Sequence, residues 1–472
     1  ELLSTRERLL LQRLSACSGG CTLETVEAIC AGDEIMVAEV PDLLARLIAQ
    51  SLVQLDERLE QPRYRLLETV RQYAQGRLAA GGMAPAVRER HCDWFLAQVE
   101  RMRAGLSTPD RDRWLRLIDD DLDNVRSALA LSTSRGDNGV TSLRFVDALL
   151  PFWLLHGHPS EGRRWAETVL ARAAAAPAVQ RARALNALGS LANEQGEGRQ
   201  ALAYYEESLA LFREAGDMRG VASVLINQGT VAKYQGDFVL ARERYEESSR
   251  LLRVLDDKAT LAIVLNNLAA LWLDLGEARA AQGLLEESLA LKRALGNPKG
   301  IIPVLGNLAE VARLLGELDH AVALYDQYLD LARTLGDKAG IAVAFYNLGL
   351  IAGMQGRHAR AATLFGESLL LQQELGNKRH IASCLEGMAA TAGALGEPAT
   401  GARLFGAAEA LREQIGTPVL PADRPAYERD VECLHSLLGK TVAGVWASGR
   451  AMPLDQAIAV ATALAGAAAA EA

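Results

Sequence analysis

The chain has 472 residues, half of them hydrophobic, and a formal net charge of −9 at pH 7. That much apolar material excludes a wholly disordered polypeptide, and the acidic balance argues against a nucleic-acid binder, which presents a basic face or stripe. No run approaches the roughly 18 apolar residues of a membrane span and no signal-peptide pattern opens the chain, so a soluble, cytoplasmic protein is expected. The six cysteines (Cys17, Cys21, Cys30, Cys92, Cys384 and Cys433) are scattered in a way that suits a reducing compartment better than a disulfide framework. The missing initial methionine reads as the start of a segment of a longer polypeptide.

The first element, "STRERLLLQRLS", opens with a capping box, Ser4 with Glu7 three residues on. Helical patterns follow in "TLETVEAIC" and "VPDLLARLIAQSLV". Apolar residues then alternate around Glu60-Gln61-Pro62, as in a short hairpin, before "YRLLETVRQYAQGRL" resumes a helix. Helices followed by a two-stranded wing predict a small winged-helix domain over residues 1–80. This stretch holds twelve acids against nine arginines and no lysine, so direct DNA binding is not expected of it and packing against a neighbouring domain is. Residues 141–180, with "FWLLHGHPSEGRRWAETVLAR", read as a degenerate leading helix pair.

A repeat dominates the remainder. Gly196, Gly236, Gly276, Gly316, Gly356 and Gly396 recur every forty residues; a second set, Gly216, Gly296, Gly336, Gly376 and Gly416, follows twenty residues later, with Asp256 in place of one member. Glycine ends helices by taking the left-handed conformation, so residues 181–416 predict six helix-turn-helix units. Small residues (Gly189, Gly229, Ala269, Ala309, Gly349, Ala389) precede the first glycine by seven positions, and large ones (Tyr205, Tyr245, Leu285, Tyr325, Phe365, Phe405) follow it by nine. This spacing resembles the tetratricopeptide repeat, lengthened to forty residues. The predicted fold is all-α: a tetratricopeptide-repeat superhelix preceded by a small winged-helix domain and closed by a helical cap over residues 417–472. New helices are expected at Asp423-Pro425 and Pro453, and the alanine-rich tail after Leu464 is expected to fray.

Stacked repeats form a concave surface lined by the first helix of each hairpin. Asn227, Asn267, Asn307 and Asn347 take one position in four successive units. The same helical stripe carries Tyr234, Ile263, Asp274, Pro303, Glu310, Leu314, Val343, Leu350 and Met354, with Lys233 and Arg313 beside it. Two readings compete for the asparagine row. In one, each amide caps a helix or bonds to the next repeat. In the other, the row faces the groove and bonds the backbone of a bound chain, because an amide carries donors and an acceptor together. Under the second reading Asn227, Asn267, Asn307, Asn347, Tyr234, Asp274, Glu310 and Arg313 form a ligand-binding groove of mixed charge. Asn266 lies off the row and is expected to be solvated.

The segments "SACSGGCTLETVEAIC" and "YRLLETVRQYA" resemble the winged helix behind the nucleotide-binding module of bacterial STAND ATPases of the NB-ARC type. "RERHCDWFLAQVE" and "WLRLIDDDLDNVRSALALSTSRGD" look like that family's helical connector, here residues 81–140, and "LFGAAEALREQIG" with "GRAMPLDQAIAVA" looks like its repeat terminus. The resemblance implies a switch. An upstream module clamps ATP or ADP, the winged helix closes over it, and the repeats sense a protein, peptide or small-molecule signal and release the clamp, often in LuxR-type or maltose-regulator-like transcriptional regulators. Where relatives carry a Met-His-Asp run this chain has Leu66-Leu67-Glu68, so nucleotide contact from this domain is not expected. The alternative function is a non-switching repeat scaffold.

Chemistry-bearing motifs are sparse. "LLGKTVAG" imitates a phosphate loop, yet position 434 is Leu and no strand precedes it. Asp119, Asp121 and Asp123 imitate a calcium loop without its glycine and glutamate, and are expected to begin or cover a solvated helix. Cys17 and Cys21 lack a second ligand pair for zinc, and His156 and His158 fall at a helix terminus. No enzyme, no metal site and no cofactor in this chain are expected.

Overall fold

The computed structural model describes residues 3–57, 61–106, 111–419 and 424–471. The chain divides into two compact units between Leu255 and Asp256.

The first unit opens with α1 (Thr5–Leu14) at the predicted capping box: Ser4 Oγ accepts from the Glu7 amide at 3.2 Å and Glu7 Oε2 accepts from the Ser4 amide at 2.6 Å. Next come α2 (Leu23–Cys30), α3 (Val40–Ala49) and an antiparallel pair, β1 (Gln54–Asp56) and β2 (Arg63–Arg65), in the register Leu55↔Tyr64. Three helices and a wing make the predicted winged helix; Glu60 of the predicted turn lies outside the described residues. α4 (Glu68–Ala80) returns against α1, and Leu10, Leu14, Val26, Ile29, Leu44 and Leu47 fill the core.

Three connector helices follow, α5 (Ala84–Gly105), α6 (Arg111–Asp120) and α7 (Leu122–Ser132). A buried polar hub joins them to the winged helix. Asn124 on α7 accepts from the Ser18 amide at 2.6 Å and donates to the Gly20 carbonyl at 2.7 Å and to Asp121 Oδ1 at 3.2 Å. Arg63 of β2, only 3% exposed, donates to the same Gly20 carbonyl at 2.8 Å and pairs with Asp121. Asp121 thus stands at the start of α7, as one half of the expectation has it, but turns to a buried guanidinium rather than to solvent. Its carboxylate balances a guanidinium that burial would otherwise leave uncompensated. His91 of α5, fully buried, lies 3.4 Å from Asn124 Oδ1.

Two more helices, α8 (Val140–Leu155) and α9 (Pro159–Arg172), form the leading hairpin, where a Cβ on Gly162 would meet the Trp153 ring at 2.6 Å. His156 and His158 sit at the ends of these helices, as expected, and neither side chain caps. The first repeats are α10 (Ala178–Glu194) with α11 (Gly198–Glu214), and α12 (Met218–Tyr234) with α13 (Phe238–Val254).

The second unit continues the array with α14 (Lys258–Asp274), α15 (Ala278–Ala294), α16 (Pro298–Leu314), α17 (Leu318–Thr334), α18 (Lys338–Met354), α19 (His358–Glu374), α20 (Lys378–Ala394) and α21 (Pro398–Ile415). Within a hairpin the predicted small and large positions meet. A Cβ on Gly189, Gly229 or Gly349 would stand 2.5, 2.7 or 2.9 Å from the ring of Tyr205, Tyr245 or Phe365. Two further rows share the forty-residue period. Ser208, Ser248, Ser288 and Ser368, all fully buried, donate across the hairpin to the carbonyls of Ala182, Ala222, Ala262 and Ala342 at 2.6–2.9 Å. Asp217, Asp257, Asn297, Asp337 and Asn377 cap the first helices by accepting from the amide three residues on.

The cap comprises α22 (Arg424–Leu438), α23 (Val442–Arg450) and α24 (Leu454–Glu471). Asp423 lies outside the described residues; Pro425 is in the first turn of α22, and Pro453 directly precedes α24. α23 crosses α21 so closely that a Cβ on Gly449 would overlap the Arg403 carbonyl. The expected fraying after Leu464 is corrected: α24 continues to Glu471 against α19, with Ala468 only 3% exposed. Alanine supplies no bulk, so the two helices come close enough that a Cβ on Gly366 would be 2.7 Å from that of Ala465.

Asp256 holds φ at +49° where the other turns of its row use glycine, a conformation costing a non-glycine residue about 1 kcal/mol. Asp256→Gly should therefore raise the melting temperature. Burial pushes the His91 imidazole down to about 4, the Asn124 hydrogen bond opposing it only weakly. The unfolded chain then binds the extra proton between about pH 4 and 6.5, so stability falls as pH drops through that window. Urea titrations should show a loss of about 1.5 kcal/mol from this group between pH 6.5 and 5, and a flatter profile in His91→Gln.

Candidate functional site

The candidate site is the outward stripe of the first helices of the hairpins. Asparagine is a weak helix former, so its recurrence there needs local compensation, and the four helices that carry the row, α12, α14, α16 and α18, are already capped at their starts.

In the first unit, Asn227 of α12 donates to Asn186 Oδ1 of α10 at 2.9 Å. Tyr234, on the last turn of α12, is 78% exposed. In the second unit, Asn307 of α16 donates to Asn266 Oδ1 of α14 at 3.0 Å. Asn266 is therefore not the solvated residue expected from its place off the row. The partner of a row asparagine is forty-one residues back, one position before the row, because neighbouring parallel helices are offset where they touch. Gly306 stands at that position ahead of Asn347 and offers no amide, and Asn347 bonds instead to the Val343 carbonyl of its own helix at 2.9 Å. Asn267 is half-buried and has no side-chain hydrogen bond among the described residues. The row thus divides: two amides staple adjacent repeats, one bonds back, and one keeps its full capacity.

Two charged members of the second unit's stripe, Glu310 and Arg313, pair with each other. Arg313 holds Glu310 with two bonds of 2.7 and 2.5 Å on one helix face, and its Nη1 lies 4.0 Å from Met354 Sδ. Below them burial, with Glu310 adding to it, pushes the Tyr325 hydroxyl far up, so it stays protonated. Asp274 is exposed at the end of α14. Around the amides Ile263, Leu314 and Met354 are about half exposed, at 47, 47 and 53%. Each stapled pair still has an unbonded N–H and carbonyl lone pairs, so the stripe offers uncharged donors and acceptors between apolar contacts. That chemistry suits a peptide backbone with apolar side chains.

The sequence reading missed the amides of Asn186 and Asn266. Their signal was present as a second asparagine forty-one residues before Asn227 and Asn307.

Residues 3–79 match the winged helix-turn-helix domain family, and residues 180–253, 220–294, 260–334 and 300–369 match the tetratricopeptide repeat. Proteins of Mycobacterium tuberculosis and Mycobacterium bovis that carry the name HTH-type transcriptional regulator are 35% identical over 236 residues, 48% of this chain and 26% of their own length. The chain thus matches about a quarter of those relatives. Among solved structures, the apo quorum sensor NprR from B. thuringiensis is 15% identical with a TM-score of 0.53, over 79% of this chain and 96% of its own. A Rap protein complexed with competence and sporulation factor is 12% identical with a TM-score of 0.51, over 78% and 99%. A STAND protein with a tetratricopeptide repeat sensor from Pyrococcus horikoshii is 12% identical with a TM-score of 0.47, over 98% and 66%. The fold is thus a winged helix-turn-helix domain followed by tetratricopeptide repeats, in a chain similar to mycobacterial HTH-type regulators.

The two kinds of asparagine separate by stability. Asn307→Ala removes a half-buried inter-repeat bond and should destabilise by about 1 kcal/mol, whereas Asn267→Ala should change stability by less than about 0.5 kcal/mol. Denaturant titrations of the two variants would measure the contrast.

Proposed function

We propose that this chain is the sensing and interaction region of a larger regulator, and that the stripe of first helices in the second unit, on α14, α16 and α18, holds a protein or peptide segment. The observation that carries the reading is Asn267: an amide without an internal partner among the described residues, half-buried in the second unit beside the Asn266–Asn307 pair and the exposed Ile263. A helix-disfavouring residue with no bond of its own is accounted for by a bond to something outside the chain. The quorum sensor and the Rap complex, similar in fold, support a protein or peptide as occupant.

In this reading the winged helix and connector pass occupancy to a neighbouring nucleotide-binding domain of the STAND type. The similarity to mycobacterial regulators almost four times the matched length supports a role as part of a longer protein. The polar hub of Arg63, Asp121 and Asn124 would carry the motion, because it makes the winged helix and connector one body. ATP or ADP belongs to that neighbouring domain. Glu68, in the place where relatives carry a Met-His-Asp run, is engaged by Arg71 at 2.7 and 2.8 Å and by Gln72, and Arg71 first among them holds its carboxyl down to about 2. The exposed face of α3, with Asp42 and Ala45 beside Arg46, has no basic excess for reading DNA. The chain acts by binding rather than catalysis.

Mass spectrometry of peptides and proteins retained by the immobilised chain, followed by titration calorimetry with each purified ligand, tests the groove. A ligand that binds Asn267→Ala about tenfold more weakly, the loss of one hydrogen bond's worth of roughly 1.4 kcal/mol, with unchanged melting, supports it. Equal affinity for both forms places the ligand elsewhere.

A further inference from the structure

Away from the repeats, three buried thiols gather in the winged helix: Cys17, Cys21 and Cys30 are 5, 0 and 0% exposed. Cys17 and Cys21 bracket Ser18-Gly19-Gly20, in which both glycines adopt left-handed backbone, at φ +74° and +94°. That reversal folds the segment on itself, with the Cys21 thiol donating to the Tyr64 carbonyl at 3.9 Å and Tyr64 lining one cavity with Cys17. Cys21 is fixed from below by a bridge to β2, its amide donating to the Tyr64 carbonyl at 3.1 Å and its carbonyl accepting from the Tyr64 amide at 2.8 Å.

Cys17 has an exit that the other two lack. It lines an open cavity of about 200 Å³, together with Tyr64, Arg65, Glu68 and Arg71, and neither Cys21 nor Cys30 contributes to that lining. A small oxidant can enter there and meet the Cys17 thiol beside the Arg65 side chain and the Arg71–Glu68 pair. Cys21 has no opening to that cavity, and the Cys17 thiol beside it, with burial second, holds its proton in place, so Cys17 is the first of the two to meet an oxidant.

We propose that Cys17 and Cys21 are a hydroperoxide-sensitive dithiol. The Cys17 thiolate attacks one oxygen of the peroxide. The O–O bond breaks, Cys17 becomes a sulfenic acid, and the other oxygen leaves as water or alcohol. Cys21 then attacks the Cys17 sulfur; the S–O bond breaks, the Cys21 proton and the departing hydroxide leave as water, and the disulfide forms. The two thiols lose two electrons and the peroxide gains them. The bond would close across the loop whose Ser18 amide and Gly20 carbonyl are held by Asn124 and Arg63, so oxidation acts on the joint between winged helix and connector. Reversal by dithiols makes the site a switch rather than a lesion.

The test exposes the full chain to excess hydrogen peroxide, removes it with catalase, then denatures and alkylates the protein. Cleavage after Glu24 and Glu27 separates Cys30 from the pair, and mass spectrometry reads each peptide. The expected result is a Cys17–Cys21 peptide lighter by two hydrogens and free of alkylation. Dithiothreitol should restore both adducts, Cys30→Ser should leave the result unchanged, and Cys17→Ser should abolish it. Full alkylation of both residues after peroxide, a Cys17–Cys30 disulfide, or a sulfinic acid at Cys17 with Cys21 still reduced would each overturn the proposal.

Discussion

A hairpin of two helices has more apolar surface than its own two members can cover, and everything else in the repeat region follows from how the surplus is buried. Inside a hairpin the contact is made by a small residue facing an aromatic ring, Gly189 with Tyr205 or Gly229 with Tyr245. Because the backbones come that close, a second-helix serine can reach a first-helix carbonyl, and Ser208, Ser248, Ser288 and Ser368 all do. Interiors this dense leave little tolerance for an added methyl group. The remaining apolar faces go to neighbouring helices, as where α16 packs on both α15 and α14. At the end of the second unit the surplus is closed by α23 and α24, whose glycine and alanine faces allow an approach that larger residues would block.

The same geometry decides what the asparagines can do. Adjacent first helices bring an amide within reach of the residue forty-one positions back, and the identity of that residue settles the outcome. With another asparagine there, at Asn186 or Asn266, the amides staple the repeats. With Gly306 there, Asn347 turns back on its own helix. The internal bonding of the asparagines therefore differs from position to position. The Glu310–Arg313 pair balances its own charge, which leaves Asp274 as the exposed carboxylate among amides and apolar side chains.

At the other end of the first unit a different economy operates. The winged helix is small and would present a polar underside to solvent if it stood alone. Instead Arg63, Asp121, Asn124 and the Ser18–Gly20 loop form a network of paired buried groups, with Arg63 Nε left without a partner among the described residues, and such networks hold their members in one arrangement. His91 sits at its edge with Nδ1 lacking a partner, which is why the neutral ring is required there. The cysteine pair lies on the loop that this network grips, so chemistry at the loop and geometry at the connector are not independent.

Periodicity determined most of the fold from the residues alone. Glycines at forty-residue spacing, alternating small and large positions and the Ser4–Glu7 box are local signals, since left-handed turns, close helix pairs and caps each depend on a few neighbouring residues. The cap row and the serine row were equally periodic and equally legible, but polar residues of several types share those places, and the eye follows glycine first. What only the tertiary structure decided were pairings between residues far apart in the chain. Asn266 was read as solvated because nothing within its own helix needs an amide; its partner comes from the next repeat. Asp121 was read as a surface acid because its guanidinium partner is fifty-eight residues away. The alanine tail was read as frayed because helix propensity says nothing about a neighbour, and α19 supplies one. Local order is written in spacing, whereas burial and satisfaction of polar groups depend on which distant surface arrives.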